Sequence, residues 1–376
     1  MAYLDHNATS PLRAEAREAV DRALAIGGNP SSIHARGRQA RALIENARAK
    51  VAALAGAAPD EIVFTAGGSE ANALALWGAI HGAADAGARI TRLFVSAVEH
   101  DSVLANATAL AERFAGLRLE TIPVTSDGVA DLEALRNQLR EGKGRALIAL
   151  MAANNQTGVV QPVAEATELA RGAGAHLLVD AVQAAGKMPV PNADYVTLSA
   201  HKIGGPQGAG ALVLRKDAPF APLIAGGGQE QGRRAGTENL SGIAGFGAAA
   251  ANVEPLGATL RDLFETKLRR MCPDAVIFGD KALRLDNTSN FALPGTPAET
   301  ALIALDLDGV MLSSGAACSS GKVKPSHVLA AMGVSDDLSR CALRASFGWN
   351  STEADVEVVI VSLSNLLARV RSRVAA

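Results

Sequence analysis

The stretch HLLVDAVQ, residues 176–183, places an aspartate and a glutamine directly after a short run of apolar residues. An uninterrupted apolar run of this length predicts a strand that is buried on both faces of a sheet. Similar runs, most of them separated by stretches with helical periodicity, occupy residues 61–65, 92–100, 145–155, 195–200 and 210–215. Strands that alternate with helices predict an α/β fold with a mostly parallel sheet covered by helices.

Polar side chains cluster where the predicted strands end. The residues concerned are Glu99, His100, Asn154, Asn155, Asp180, Ser199, His201 and Lys202. In an open α/β sheet, ligands bind at the carboxyl ends of the strands. We therefore expect these side chains to meet at one site.

The remainder of the chain predicts a second, smaller unit. After about residue 255 the pattern favours helices and few strands, with helical periodicity over 257–271, 298–308, 325–332 and 352–373. A further amphipathic helix is predicted over residues 36–54. We predict a large α/β domain over residues 16–253, and a small α+β domain formed by residues 1–15 and 254–376.

Composition excludes several classes of protein. The chain has 376 residues, with 36 Lys and Arg against 38 Asp and Glu, so it offers no basic excess to nucleic acid or to an anionic membrane. No apolar run approaches the roughly 20 residues of a membrane-spanning helix, and the N-terminus lacks the pattern of a signal peptide. The three cysteines are too widely spaced for a disulfide framework or a zinc cluster. We expect a cytoplasmic enzyme with reduced thiols, without a metal, a nucleic-acid partner or a membrane partner.

Lys202 is the first candidate catalytic residue. It follows the predicted strand 195–200 and precedes the glycine-rich turn IGGPQGAG (203–210), with Ser199 and His201 beside it. A lysine whose pKa is lowered by its surroundings can form a Schiff base with an aldehyde. An arbitrary lysine is usually a solvated surface residue, but this setting is difficult to explain as solvated surface.

Pyridoxal phosphate is the aldehyde cofactor that fits the rest of the pattern. Its pyridinium nitrogen needs a carboxylate, which Asp180 supplies. Its phosphate needs backbone N–H groups at a helix start, and TAGGSEANALAL (65–76) offers Gly68 and Ser69 in that position. His100 is the candidate for stacking on the ring. Gln183 is the candidate donor to the phenolic oxygen.

The chain as a whole resembles the cysteine desulfurases of the NifS/IscS-like type, which belong to the class-V aminotransferases. The resemblance extends over nearly all of the sequence. It is carried by YLDHNATSP (3–11), NPSSIHARGR (29–38), FTAGGSEAN (64–72), VEH (98–100), NNQTGVVQP (154–162), VDAVQAAGK (179–187), SAHKIGGPQGAGAL (199–212), GGGQEQGRRAGTEN (226–239), SSGAACSSGKVKPSHVL (313–329) and LRASFG (343–348).

The resemblance implies a pyridoxal-phosphate enzyme of fold type I, with a mostly parallel, seven-stranded sheet sandwiched by helices. It implies that Lys202 holds the cofactor and moves protons, and that His100 stacks on the ring and shuttles protons. It assigns the phosphate to Ser69, Ser199 and His201 together with the amides around Gly68. Thr237 would reach the phosphate of a neighbouring subunit, which implies a homodimer.

The resemblance also implies the substrate and the nucleophile. Asn155, Arg344 and Asn7 would bind L-cysteine, and Cys318 would attack its sulfur. The products would be L-alanine and a persulfide on Cys318, from which an iron–sulfur scaffold protein or another acceptor takes the sulfur. The serine, glycine and alanine residues around Cys318 cannot bury a thiol, whereas Cys272 and Cys341 are expected to be ordinary buried residues.

Two alternatives remain open at this point. A selenocysteine lyase or another pyridoxal-phosphate lyase on the same fold would also need Lys202 and Asp180, but it would use Cys318 less. A non-catalytic member of the family would keep the fold alone. The sequence also departs from the family pattern, since Ser69 stands where a threonine is usual and Gln156 where a glutamate is usual.

Overall fold

The computed structural model describes residues 1–254, 256–314 and 325–374. Its strands are β1 (Ala2–Tyr3), β2 (Ile62–Thr65), β3 (Ile90–Ser96), β4 (Arg118–Ile122), β5 (Arg145–Ala149), β6 (His176–Asp180), β7 (Tyr195–Ser199), β8 (Gly210–Leu214), β9 (Val276–Ile277), β10 (Thr288–Ala292), β11 (Val310–Met311) and β12 (Ala342–Ser346). Its helices are α1 (Ala14–Ile26), α2 (Ala35–Ala55), α3 (Gly68–Asp85), α4 (Asp101–Arg113), α5 (Leu132–Glu141), α6 (Val163–Ala173), α7 (Leu240–Ala251), α8 (Thr259–Met271), α9 (Ala298–Leu307), α10 (His327–Ala331), α11 (Asp336–Ser339) and α12 (Glu353–Val374).

The large sheet has seven strands in the order β2-β8-β7-β6-β5-β3-β4. Strands β3 to β7 pair in parallel, while β8 pairs antiparallel with both β7 and β2, so six strands run one way and β8 runs against them. The α/β class and the mostly parallel sheet predicted from the sequence are confirmed. A parallel strand buried on both faces is apolar along its whole length, and all five residues of β7 are buried.

Helices cover both faces of this sheet, and each face has its own hydrophobic core. One core joins the sheet to α2, α6 and α7, and the other joins it to α3 and α4. Helix α2 shows why the sequence pattern works: Ala40, Ile44, Ala47 and Val51 recur at intervals of three or four residues and are all buried. The helix stops at Gly56, whose φ of 59° lies in the left-handed region that glycine tolerates.

Two predicted strands are shorter in the structure than in the sequence pattern. The run 145–155 ends as a strand at Ala149, and the run 92–100 ends at Ser96. Beyond Ala149 the backbone turns to other partners, since Met151 N–H donates to the Glu99 carboxylate at 2.5 Å. Residues 97–100 and 150–155 therefore form loops at the carboxyl edge of the sheet, where a site can be built.

The C-terminal part of the chain packs around a separate core. Strands β12-β10-β9 form an antiparallel sheet, and β1 pairs in parallel with β11. Ala2 and Leu4 lie in one hydrophobic cluster with residues of α8, α9, β10, β12 and α12. This arrangement favours the predicted assignment of residues 1–15 to the small domain, and the domain boundaries themselves stay a prediction. Among the described residues, none of the helices combines the length and hydropathy of a membrane-spanning segment.

Candidate active site

A cavity of about 260 Å³ opens at the carboxyl edge of the large sheet. Nine residues singled out in the sequence line it: Gly68, Ser69, His100, Asn155, Asp180, Gln183, Ser199, His201 and Lys202. Asp180 and Ser199 are the last residues of β6 and β7, and Gly68 and Ser69 begin α3 after β2. The strand order thus brings together residues that are more than 130 positions apart in the sequence, from Gly68 to Lys202.

One end of the cavity is built to receive an anion. The first turn of α3 presents backbone N–H groups and the positive end of the helix dipole. A Cβ atom on Gly68 would lie 2.7 Å from Val182 Cγ2, so a glycine here lets α3 start close to the residues that follow β6. Ser199 Oγ is buried there without a hydrogen-bond partner among the described residues. Burial, and secondarily the charge of Lys202, lowers the pKa of His201 to about 4, so its ring is uncharged at neutral pH.

Asp180 is held by two donors, one of which the sequence analysis did not identify. Val182 N–H donates to its Oδ1 atom at 2.9 Å, and Asn72 Nδ2 donates to its Oδ2 atom at 2.8 Å. The Asp180 carboxylate is 6% exposed, and each of its oxygens can accept a further hydrogen bond. It can therefore pair with a pyridinium nitrogen in the cavity without giving up its present partners.

Glu99 is a second carboxyl group beside Asp180. It is buried, and its Oε1 atom accepts the Met151 N–H at 2.5 Å. Burial, and then the negative charge of Asp180, raises the pKa of Glu99 well above its usual range. Burial and the neighbouring Asp180 therefore both disfavour a negative charge on Glu99.

Lys202 lines the cavity, and its Nζ atom donates to two backbone carbonyl groups, Asn7 at 2.5 Å and Ala8 at 2.8 Å. Burial, and next the charge of Arg344, lowers the pKa of Lys202 to about 8. About a tenth of this amine is therefore uncharged at pH 7, far more than for an ordinary lysine with a pKa of about 10.4, and the uncharged form is the nucleophile.

A second lysine lies close by, and sequence reasoning missed it. Lys187 Nζ donates to Gln183 Oε1 at 2.9 Å and to Asn7 Oδ1 at 3.3 Å, while Gln183 Nε2 donates to the Asn7 carbonyl at 2.9 Å. Burial, and then the charges of Lys202 and Arg344, lowers the pKa of Lys187 to about 7. Its place in the VDAVQAAGK motif was the available signal. Asn7 thus contacts both lysines and Gln183 from behind the cavity wall.

Arg344 and Asn155 form a second cluster next to the cavity. Arg344 Nη1 donates to the Asn155 carbonyl at 3.0 Å, and Nη2 pairs with Asp5 Oδ1 at 2.6 Å. Arg344 is 4% exposed and does not line the cavity itself. Within the described part of the chain its Nε atom has no hydrogen-bond partner. Asp5 therefore fixes the guanidinium, and the Nε–H group is among the donors left for a carboxylate.

Three predicted site residues do not line the cavity, namely Asn7, Arg344 and Thr237. Thr237 is exposed and lies outside the cavity lining of its own chain. Cys318 lies outside the described residues.

The described residues that flank 315–324 contact the site. Ser313 and Arg344 exchange two backbone hydrogen bonds, and Ser326 Oγ donates to Gln156 Oε1 at 2.5 Å. His327 Nε2 donates to the Glu99 carbonyl at 2.9 Å. The N-terminal flank of the segment that contains Cys318 is therefore attached to β12 at Arg344, and its C-terminal flank is attached to the loops that carry Glu99 and Gln156.

The other two cysteines, Cys272 and Cys341, lie outside the cavity lining. Cys272 and Cys341 are 5% and 6% exposed and pack in hydrophobic clusters, so the prediction that they are buried small residues is confirmed. Within the described residues there is no cluster of His, Cys, Asp and Glu with the geometry of a metal site.

Comparison with known proteins agrees with this geometry. The aminotransferase class-V family model matches residues 2–359. The chain is 44% identical to a cysteine desulfurase of Cereibacter sphaeroides, covering 98% of this chain and 96% of that protein. It is 38% identical to an IscS-like cysteine desulfurase of Mycobacterium tuberculosis, covering 99% and 97%. A crystal structure of a NifS-like protein from Rickettsia africae superposes with a TM-score of 0.87 at 32% identity, covering 98% of this chain and 99% of that one. The chain therefore belongs to the aminotransferase class-V family of pyridoxal-phosphate enzymes, and within that family to the cysteine desulfurases.

Proposed function

We propose that this enzyme cleaves the C–S bond of L-cysteine in the cavity at the carboxyl edge of the large sheet, and that Cys318 collects the sulfur as a persulfide. The observation that carries the proposal is the convergence of Lys202, Asp180, His100 and the first turn of α3 on a single cavity. The Arg344–Asn155 cluster and the flanks of residues 315–324 lie against the same loops.

The residues present fit pyridoxal phosphate. The helix start at Gly68 and Ser69 and the unpartnered Ser199 hydroxyl suit its phosphate, and Asp180 suits its pyridinium nitrogen. Lys202 is the amine for covalent attachment. When bound, the cofactor withdraws electrons from the substrate, so that the proton on Cα becomes acidic.

Two side chains of the protein then bind the substrate and transfer its proton. The Arg344 guanidinium binds the substrate carboxylate through N–H groups that Asp5 and Asn155 leave available, because a charge-assisted hydrogen bond is stronger than a neutral one. Lys202 Nζ, with its lowered pKa, accepts and returns the Cα proton near neutral pH.

The sulfur transfer is a nucleophilic displacement at the sulfur atom of the substrate. The Cys318 thiolate attacks the sulfur of the substrate, so that a new S–S bond forms while the C–S bond breaks. The electron pair of the C–S bond stays on carbon, which takes up a proton and leaves as L-alanine. The persulfide on Cys318 then passes its terminal sulfur to a thiolate on an iron–sulfur scaffold protein or another acceptor.

Substituting Cys318 tests the proposal. The native enzyme should release one alanine for each sulfur bound or released, and mass spectrometry should find the extra sulfur on Cys318. In Cys318→Ala, sulfur release from L-cysteine should fall to the background rate of the free cofactor. Cys272→Ala and Cys341→Ala are matched controls that should keep the activity, because both thiols are buried in hydrophobic clusters. If Cys318→Ala still releases sulfide at the native rate, Cys318 is not the residue that takes the sulfur from the substrate.

The proposal includes a homodimer in which Thr237 acts on the neighbouring subunit. Thr237 is exposed at the end of a loop that two ion pairs attach to the body of its own subunit, Arg48–Glu230 and Arg234–Glu70. A threonine hydroxyl held in this way can donate to a phosphate across an interface.

A mixed-subunit experiment distinguishes action across the interface from action within a chain. Thr237→Ala alone should weaken cofactor binding by about 10- to 100-fold, the effect of one hydrogen bond to a charged group. Dimers of one Thr237→Ala subunit and one Lys202→Ala subunit should recover one native site, since each intact residue then meets the other. Mixed dimers without recovered binding, or sedimentation at the mass of one 38.5 kDa chain, would contradict the arrangement.

The acceptor and the compartment are also part of the proposal. An iron–sulfur scaffold as acceptor predicts that ³⁵S on Cys318 moves to scaffold cysteines without passing through free sulfide. A cytoplasmic enzyme predicts recovery in the soluble fraction of gently lysed cells. If the label appears only as free sulfide, a scaffold protein is not the direct acceptor. If the protein is recovered with membranes, the cytoplasmic location is wrong.

A further inference from the structure

A continuous chain of hydrogen bonds joins Asp180 to His100 through two residues with no assigned role. Asn72 contacts Asp180, Ser102 contacts Asn72, and His100 contacts Ser102. We infer that this chain, together with the start of helix α4, fixes the His100 ring in the tautomer with its proton on Nε2, and that Asn72 and Ser102 are positioning residues for His100.

The orientation of the Asn72 side chain follows from its neighbours. Asn72 is 1% exposed, and its Nδ2 atom lies 2.8 Å from Asp180 Oδ2. A carboxylate only accepts hydrogen bonds, so the amide NH₂ group and not its oxygen must face Asp180. The Thr197 hydroxyl donates to Asn72 Oδ1 at 2.7 Å, which agrees with this orientation.

The Ser102 hydroxyl is oriented in turn. The second hydrogen of Asn72 Nδ2 points to Ser102 Oγ at 2.9 Å, so this oxygen acts as an acceptor. The hydroxyl hydrogen is then available for His100 Nδ1, which lies 2.8 Å away. The hydrogen bonds therefore run in one direction, from Asn72 to Ser102 and from Ser102 to His100.

The backbone provides a second constraint on the same ring nitrogen. His100 is the N-cap residue of α4, and its Nδ1 atom accepts the Ser102 backbone N–H at 3.1 Å. A backbone N–H is a donor only. Both partners of Nδ1 are therefore donors, so this nitrogen carries no proton and the proton of the ring is on Nε2.

The fixed tautomer has a consequence for the division of catalytic work, and this step rests on the proposed function. A proton added at Nδ1 would remove the N-cap and place a cation at the positive end of the helix. His100 can stack on the cofactor and donate from Nε2, but it does not take up the substrate proton at Nδ1. Proton transfer at Cα therefore falls to Lys202 Nζ.

Nitrogen NMR of the cofactor-loaded enzyme tests the tautomer directly and needs no substrate. With ¹⁵N-labelled histidine, the His100 signals are identified by their loss in His100→Gln, since the chain has 7 histidines. We expect Nδ1 to resonate as an unprotonated nitrogen and Nε2 as a protonated one at neutral pH. A proton on Nδ1, alone or in addition to Nε2, would overturn the inference. The spectrum remains informative even if the proposed sulfur chemistry fails.

Two variants test the positioning residues. Ser102→Ala removes one of the two donors to Nδ1 and should move the tautomer ratio about 2- to 10-fold toward Nδ1–H, the effect of one neutral hydrogen bond. Asn72→Asp should give a similar shift, because a carboxylate there accepts the Ser102 hydroxyl hydrogen. Asn106→Ala is the matched control, since Asn106 Nδ2 donates to the Ser102 carbonyl from the same helix but lies outside the chain of bonds. A tautomer ratio unchanged in Ser102→Ala, or changed equally in Asn106→Ala, would contradict the role of Ser102.

Discussion

Lys202→Ala should lower kcat/KM for L-cysteine by about 10⁴-fold or more, whereas Lys187→Met should lower it by no more than about 100-fold. Under the proposed function, the variant loses both covalent attachment of the cofactor and the proton transfer, and general acid–base catalysis alone contributes about 10²- to 10⁴-fold. Removing Lys187 removes charged hydrogen bonds to Gln183 and Asn7, and a bond of that type is worth about 1.5–3 kcal/mol.

Comparing the Lys202 and Lys187 variants is informative because the lowered pKa alone would assign cofactor attachment to Lys187. The pKa of Lys187, about 7, is lower than that of Lys202, about 8. Geometry selects Lys202, since it lines the cavity with Asp180 and Lys187 does not. Reduction of the loaded enzyme with borohydride should therefore fix the cofactor to the peptide that contains residue 202. An adduct at residue 187, or equal losses of activity in the two variants, would contradict this assignment.

The pH dependence of cofactor attachment provides a second measurement on the same residue. The uncharged amine is the nucleophile, and an ordinary lysine has a pKa of about 10.4. Because burial lowers the pKa of Lys202 to about 8, the attachment rate should rise between pH 7 and 8 and level off by about pH 9. A rate that keeps rising about tenfold per pH unit above pH 9 would indicate an unperturbed lysine.

Much of the fold could be predicted from the sequence, because strands buried on both faces are continuous apolar runs. The helix predicted over 36–54 is observed over Ala35–Ala55, and that predicted over 352–373 is observed over Glu353–Val374. Strand β4 was missed, since four of its five residues are not buried and its RLETI sequence carries no apolar run. The reversed direction of β8 was also not predictable, because an apolar run does not encode strand direction.

The residues of the candidate site were likewise predictable only in part. Residues at the ends of strands, such as Asp180 and Lys202, were predictable because parallel strands end at a common edge. Asn72 and Ser102 were not, since each lies inside a helix and nothing in local sequence shows that its polar group is turned toward Asp180 or His100. Their roles follow from contacts between residues 30 and 108 positions apart.

Arg48→Ala should lower the free energy of unfolding by about 3–5 kcal/mol, the usual cost of leaving one member of a buried ion pair without its partner. The side chains of Arg48 and Glu230 are 7% and 2% exposed, and two hydrogen bonds of 2.8 Å join them. Glu230 also accepts the Phe64 N–H at 2.9 Å. The measurement is chemical denaturation of the cofactor-loaded enzyme at fixed protein concentration. Arg171→Ala is the control, because its pair with Glu168 is exposed and such pairs are worth about 1 kcal/mol or less.

Under the proposed role of Thr237, the same pair also affects cofactor binding, which separates this prediction from one about stability alone. Glu230 and Gln231 have φ angles of 48° and 59°, a left-handed conformation that costs non-glycine residues about 1–2 kcal/mol each. The Arg48 guanidinium holds this strained turn in place, and the turn leads directly into the loop that ends at Thr237. Arg48→Ala should therefore weaken cofactor binding as much as Thr237→Ala does, by about 10- to 100-fold, even at temperatures where the variant is fully folded. Loss of stability with native cofactor affinity would instead mean that the ion pair stabilises the fold without positioning the loop.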